Sequence, residues 1–166
     1  MTEDRIWNLY LAVNDWVKFA DAKAGIALAA HGAIFTIAIP EIVTNRSYFL
    51  DHCALSVGIV CGSLAAAVSV FFGLRTIIPR LSVGEPKSLI FFGHIAKAYS
   101  DFESFRVASE QTYGSEDKFN GQILDQIWAN SRVAWAKHKD AAFCLWAIAF
   151  EVVVAIGMFI FSLFFT

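Results

Sequence analysis

Residues 20–40 read ADAKAGIALAAHGAIFTIAIP, and their reading decides the fold. Asp21 and Lys23 are the last charges in the stretch; from Ala24 to Pro40 no charged residue follows. Upstream, Ile6, Leu9, Val13, Trp16 and Ala20 recur three and four residues apart, the period of one face of an amphipathic helix. A helix that begins in water therefore runs, without a breaker, into hydrocarbon. Continuing the same spacing lands on Lys23, which puts a lysine on the packing seam. Asp21 lies roughly 200° around the helix from Lys23, so the two do not form a simple local ion pair.

With flanking residues to Val43, this run has about the 20 residues that a bilayer crossing needs. Cys53 to Leu74 is likewise free of charge, ends at Arg75 and is stopped by Pro79. Residues 80–140 return to soluble composition. Gly84-Glu85-Pro86 is a loop signal, Leu89 to Ile95 is a short apolar element, and Ser100-Asp101-Phe102-Glu103 has the form of a capping box opening a helix that ends near Gly114. Ser115 then caps a last, long helix. Its seam, Phe119, Ile123, Ile127 and Ala134, passes through Asn130 and Lys137 and continues into the apolar run from Ala141 to Thr166.

The expected class is thus an all-α membrane protein. Three transmembrane helices carry a small cytosolic helical bundle formed by extensions of the first and third spans and the segment between spans two and three. The expected division is a cytosolic amphipathic helix at 1–23, a transmembrane helix at 24–43, a periplasmic turn at 44–52, a transmembrane helix at 53–78, a cytosolic helical sensor region at 79–140 and a transmembrane helix at 141–166.

Composition agrees with this class. The chain of 166 residues is 57% hydrophobic and only 17% charged, against about 25% charged in soluble domains. A net charge of −2 provides no field for nucleic acid, so no such partner is expected. Cys53, Cys61 and Cys144 lie in or beside apolar runs as small buried hydrophobes, without metal-site spacing. The N-terminus opens with acids and lacks the basic region, short apolar core and cleavage site of a signal peptide, so the first span is expected to be retained. If the N-terminus and residues 75–140 share one side, that side holds twelve of the thirteen lysines and arginines and the other holds Arg46 alone. The positive-inside rule then makes the N-terminus and residues 79–140 cytoplasmic, with Phe164-Phe165-Thr166 at the far face.

Catalysis has little to work with. There is no Walker loop, GxSxG elbow, HExxH or CxxC pair, and four histidines are scattered along the chain, so no enzyme, catalytic residue or metal site is expected. The residues do offer an anion-binding arrangement. Lys23 on the first helix and Asn130 and Lys137 on the last all sit on inward seams, with Asp21 beside them. Asn130 and Lys137 are one heptad apart, roughly 10 Å along the axis, a span that suits a small ligand. Lysine offers a point charge to phosphate and an asparagine amide can read a base edge, while Trp128, Trp135 or Phe92 could stack on a ring. The alternatives are lysines that snorkel and an asparagine that fixes helix pairing.

Inside the apolar runs, His31 and Glu151 stand at comparable depth, and an intramembrane ionisable group is functional by default. They are expected to pair with each other or line a polar path, the alternative being a protonated Glu151 bonded to backbone or Ser63. The small-residue stripes Gly25-x3-Ala29-x3-Ala33 and Gly58-x3-Gly62-x3-Ala66 allow close helix approach and favour oligomers.

Three segments together resemble the transmembrane effectors of Pycsar antiphage systems. They are Ala20-Asp21-Ala22-Lys23-Ala24-Gly25 before the first span, Phe91-Phe92-Gly93-His94-Ile95-Ala96 after the second, and Gln126-Ile-Trp-Ala-Asn130-Ser-Arg-Val-Ala134-x2-Lys137 before the third. The resemblance covers essentially the whole chain. It implies a partner pyrimidine cyclase that makes cyclic CMP or cyclic UMP on infection, and an effector that binds this messenger and damages the cell inner membrane, giving abortive infection. Asp21, Lys23, Asn130 and Lys137 are expected to hold the ligand. Two other classes stay open: a small ion channel or transporter subunit, and a membrane adaptor with no nucleotide ligand.

Overall fold

The computed structural model of the chain describes residues 3–79 and 88–164. Every regular element among them is an α-helix: α1 (Glu3–Thr44), α2 (Arg46–Asp51), α3 (Cys53–Ile77), α4 (Phe92–Ala98), α5 (Phe102–Tyr113) and α6 (Glu116–Phe164). The expected Gly84-Glu85-Pro86 loop and the chain end Phe165-Thr166 lie outside the described residues.

Helix length follows from the uninterrupted apolar runs. α1 has 42 residues, α3 has 25 and α6 has 49. At 1.5 Å per residue these are roughly 63, 38 and 74 Å long, against about 30 Å of bilayer hydrocarbon. All three are long and apolar enough to cross a membrane. α1 and α6 each exceed one crossing by a factor of about two, so each must also extend into water. Pro40 is accommodated inside α1, near its end. The segment expected as a turn at 44–52 is mostly the single-turn helix α2, followed by extended backbone at His52, from which α3 starts.

The chain divides into two units, Met1–Phe19 with Pro79–Ala136, and Ala20–Ile78 with Lys137–Thr166. The first, richer in charged residues and hence the polar unit, is built on Ile6, Ile123 and Ile127, with Tyr10, Val13, Ile90 and Phe119 packed against them. Its helix α5 starts one residue later than the capping-box reading places it. Asp101 is the N-cap, and its carboxylate accepts a hydrogen bond from the Ser104 amide at 2.8 Å. A carboxylate at this position satisfies an orphan amide and also meets the positive end of the helix dipole. Gly114 closes the helix as expected from the sequence. Residues 88–91, just before α4, have no helix of their own and are held by side chains. The Leu89 amide donates to Gln122 Oε1 at 2.7 Å, and Tyr113 Oη donates to the Leu89 carbonyl at 3.2 Å.

The second unit has a different core. Apart from Leu55 on α3, its buried positions among the described residues are small or polar: Ala20, Ala24, Ala27 and His31 on α1, Ala65, Ala66, Ser69, Gly73 and Thr76 on α3, and Lys137, Asp140, Ala141, Cys144 and Glu151 on α6. Small side chains let helix backbones approach where lipid provides no hydrophobic drive for association. Gly58 and Gly62 face α6: a Cβ on Gly58 would lie 2.7 Å from Met158, and one on Gly62 would lie 3.9 Å from Val154. The second expected stripe does not pack this way. Ala29 and Ala33 are exposed, and nothing lies within 4 Å of a Cβ built on Gly25. Nor are all three cysteines buried. Cys144 is, whereas Cys61 is half-buried and Cys53 is exposed.

Candidate functional site

The inward stripe of α6 runs Ile123, Ile127, Ala134, Lys137, Ala141, Cys144, Glu151, spaced as an α-helix repeats. Lys137 falls on that stripe because its neighbours at i−3 and i+4 are alanines, which leave room for the long side chain to lie inward. Its ammonium meets Asp21 across from it: Nζ lies 2.6 Å from Asp21 Oδ1, with the Lys137 side chain 5% exposed and that of Asp21 36% exposed. A buried ammonium without such a partner would be strongly disfavoured, so Asp21 fixes Lys137 as much as packing does. Lys23 stands two residues further along α1, half-buried and engaged in a contact of its own.

On α1 the inward stripe differs from the one spaced from Trp16. Leu9 and Trp16 are 46% and 56% exposed, and the buried row is Ile6, Ala20, Ala24, Ala27 and His31. Lys23 therefore flanks the seam, and Asp21, on the other flank, takes the position facing α6.

Asn130 belongs to the polar unit, where it links amides in series. Gln126 Nε2 donates to Asn130 Oδ1 at 2.9 Å, and Asn130 Nδ2 donates to Asn14 Oδ1 at 2.7 Å. It joins α1 to α6 within that unit, as a helix-pairing residue does. Of the four expected ligand residues, Asp21 and Lys137 are brought into direct contact. Asn130 is satisfied by Asn14 and Gln126, two residues that sequence reasoning missed. A signal was available, since Asn14 and Asp21 are one heptad apart on α1 as Asn130 and Lys137 are on α6. The three candidate stacking rings are exposed, Phe92 at 67%, Trp128 at 63% and Trp135 at 76%, and Trp128 lies 5.0 Å beneath the Arg132 guanidinium.

Three further polar contacts cross the apolar unit. Arg75 Nε at the end of α3 lies 3.2 Å from Asp140 Oδ2 on α6, the aspartate side chain being 7% exposed. Ser69 Oγ donates to the Cys144 carbonyl at 3.0 Å. His31 Nδ1 lies 3.0 Å from Glu151 Oε2, both side chains buried, without a hydrogen bond between them. The ring of His31 also stacks on Phe35 at 5.8 Å. Beside the His31 and Glu151 pair opens a cavity of about 1220 Å³ between α1, α3 and α6, with Glu151 in its wall.

Residues 5–165 match the model of a protein family described as the Pycsar effector protein domain. The chain is also 29% identical over 157 residues to the Pycsar effector protein PtPycTM of Propioniciclava tarda, a match covering 92% of this chain and 73% of that relative. No solved structure matches it.

Proposed function

The chain belongs to the Pycsar effector family, a family of antiviral defence, and from that premise we propose that it binds cyclic CMP or cyclic UMP made by a partner pyrimidine cyclase and then perturbs the cell inner membrane, ending infection by killing the host. It does so by binding and rearrangement, without catalytic turnover. Its N-terminus and residues 79–140 are cytoplasmic, following the lysine and arginine distribution.

The observation that carries this reading is the contact of Asp21 with Lys137, on helices that each continue as a membrane-length apolar run. A nucleotide phosphate presents the same charge and the same acceptor atoms as the Asp21 carboxylate. It competes for the Lys137 ammonium, with Lys23 close along α1 to share its charge. The exchange trades a contact between helices for one with the ligand, so binding changes what holds α1 against α6. A ligand shifts a conformational equilibrium only through such a difference in contacts. Three spans per chain enclose too little for a wide pore, so several copies act together.

Thermal-shift titration of the purified full-length chain with cyclic CMP, cyclic UMP, cyclic AMP and cyclic GMP tests the reading. One of the two pyrimidine nucleotides is expected to raise the melting midpoint, and Lys137→Met to abolish that rise. No response to any of the four would refute ligand binding.

A further inference from the structure

Within the apolar runs of the second unit stand a histidine and a glutamate that ligand recognition does not use. His31 is 1% exposed and Glu151 8% exposed, on different helices at the depth of the apolar runs. Both nitrogens of His31 and Oε2 of Glu151 are buried without hydrogen bonds. Such groups are expensive in a membrane interior, and packing alone would be better served by leucine.

Their surroundings are asymmetric. Toward the end of the bundle that carries Glu41 and Asn45, the cavity of about 1220 Å³ reaches Glu151; its lining is mostly apolar, with polar groups at Ser63, Tyr48 and Ser162. The hydroxyl of Tyr48 is buried without a partner there, as an atom awaiting water would be. Toward the other end the bundle is shut. A Cβ on Gly73 would stand 3.0 Å from Leu28 and 3.3 Å from Cys144 Sγ, and Ser69 closes the layer on the Cys144 carbonyl. Beyond that layer lies the ion pair of Arg75 with Asp140. Polar groups thus stand on both sides of this close-packed layer.

We propose that His31 and Glu151 form the transfer station of a proton leak, fed through the cavity and gated by the layer of Leu28, Ser69, Gly73 and Cys144. This rests on the reading above that the chain perturbs the membrane, and names the ion that crosses. Water in the cavity protonates Glu151 at Oε2. Rotation of the Glu151 carboxyl aligns Oε2 with the lone pair of His31 Nδ1, 3.0 Å away, and the proton passes to it, leaving a carboxylate and an imidazolium; the imidazolium releases the proton on Nε2 to water once the gate layer parts. One proton enters and one leaves; a change of tautomer resets the ring. Among the described residues no three His, Cys, Asp or Glu side chains gather to replace an ion's hydration shell.

Full-length chain reconstituted in vesicles holding a pH-sensitive dye, under an imposed potassium diffusion potential, tests this against release of carboxyfluorescein. With cyclic CMP or cyclic UMP, protons are expected to enter while carboxyfluorescein stays inside. Glu151→Gln and His31→Gln should each lose the flux, and Glu151→Asp, which keeps a titratable group, should retain part of it. Flux undiminished in Glu151→Gln, loss in Glu151→Asp equal to that in Glu151→Gln, or carboxyfluorescein release accompanying proton entry, would overturn the proton station and leave membrane perturbation standing. No permeability with either nucleotide would overturn both.

Discussion

The two units of this chain solve the same problem, holding α1 against α6, with opposite materials. In the polar unit the core is Ile6, Ile123 and Ile127 with aromatic neighbours, and the helix-joining polar groups are neutral amides, Asn14, Asn130 and Gln126. In the apolar unit the core, Leu55 apart, is made of small side chains, chiefly alanine, and the groups that join helices include ionisable ones: Asp21 with Lys137, Arg75 with Asp140, His31 with Glu151. Water drives large side chains together, so bulk alone associates helices there and polar groups need only set register. Lipid gives no such drive, so backbones must approach closely and polar contacts become the fastening. A fastening made of charges can be released by a charged ligand or a proton, whereas one made of isoleucine cannot.

The sharpest break of this contrast is Ile123→Ala. Ile123 is fully buried, and its loss should destabilise the polar unit by about 4 kcal/mol through lost burial and a residual cavity. Urea titration of detergent-solubilised chain, with amide exchange of residues 6–13 and 119–127 as readout, is the measurement. Unchanged protection there would mean that bulk does not hold this unit together.

Next in size is Asp21→Asn, which strands the buried Lys137 ammonium and should cost the apolar unit about 3 kcal/mol. The double variant Asp21→Leu with Lys137→Met removes both charges and should recover most of that loss in a thermal melt in detergent. Failure to recover would show the pair to be a net source of stability and not a releasable fastening.

The smallest effect lies in the water-exposed helix α5. The Ser104 amide, helped by its hydroxyl, holds the Asp101 carboxyl below its ordinary value of 3.8. A depressed carboxyl stabilises the folded state above its ordinary value and ceases to do so as pH falls through the lowered one. Exchange protection of the Ser104 amide should therefore be complete near neutrality, fade only in acid below that ordinary value, and be absent at every pH in Asp101→Ala. Protection that survives in Asp101→Ala would show the cap to be dispensable.

What was legible in the sequence divides along the same line. The seam of α6 could be read through Ile123, Ile127 and Ala134 to Lys137, because in the polar stretch apolar means inward. On α1 the rule inverts near the membrane. Trp16 is as apolar as any core residue yet faces out, as aromatic rings do at a bilayer border, and alanines mark the inward row. Hydrophobic periodicity loses its meaning where both faces of a helix meet an apolar medium, and side-chain size takes over as the signal. His31 and Glu151 were legible as a pair because any charge in such a run demands a partner. Arg75 with Asp140 was missed, although both stand at the same end of their spans. Asn14 and Gln126 were missed because a polar residue near the surface of an amphipathic helix looks solvated until its partner is known.

Pro40 has a bearing on the cavity wall. Proline has no amide hydrogen, so the carbonyl of Thr36 loses its rung of the α1 ladder. The side chain of Thr36 does not compensate, since its hydroxyl donates backward to the Gly32 carbonyl at 2.8 Å. The final turn of α1, which carries Glu41 and Ile42 along the cavity, is thus attached by a helix already short of one bond at its base. Swinging that turn outward has one fewer ladder bond to break than elsewhere in α1, so the helix is weakest where it forms the wall of its own vestibule.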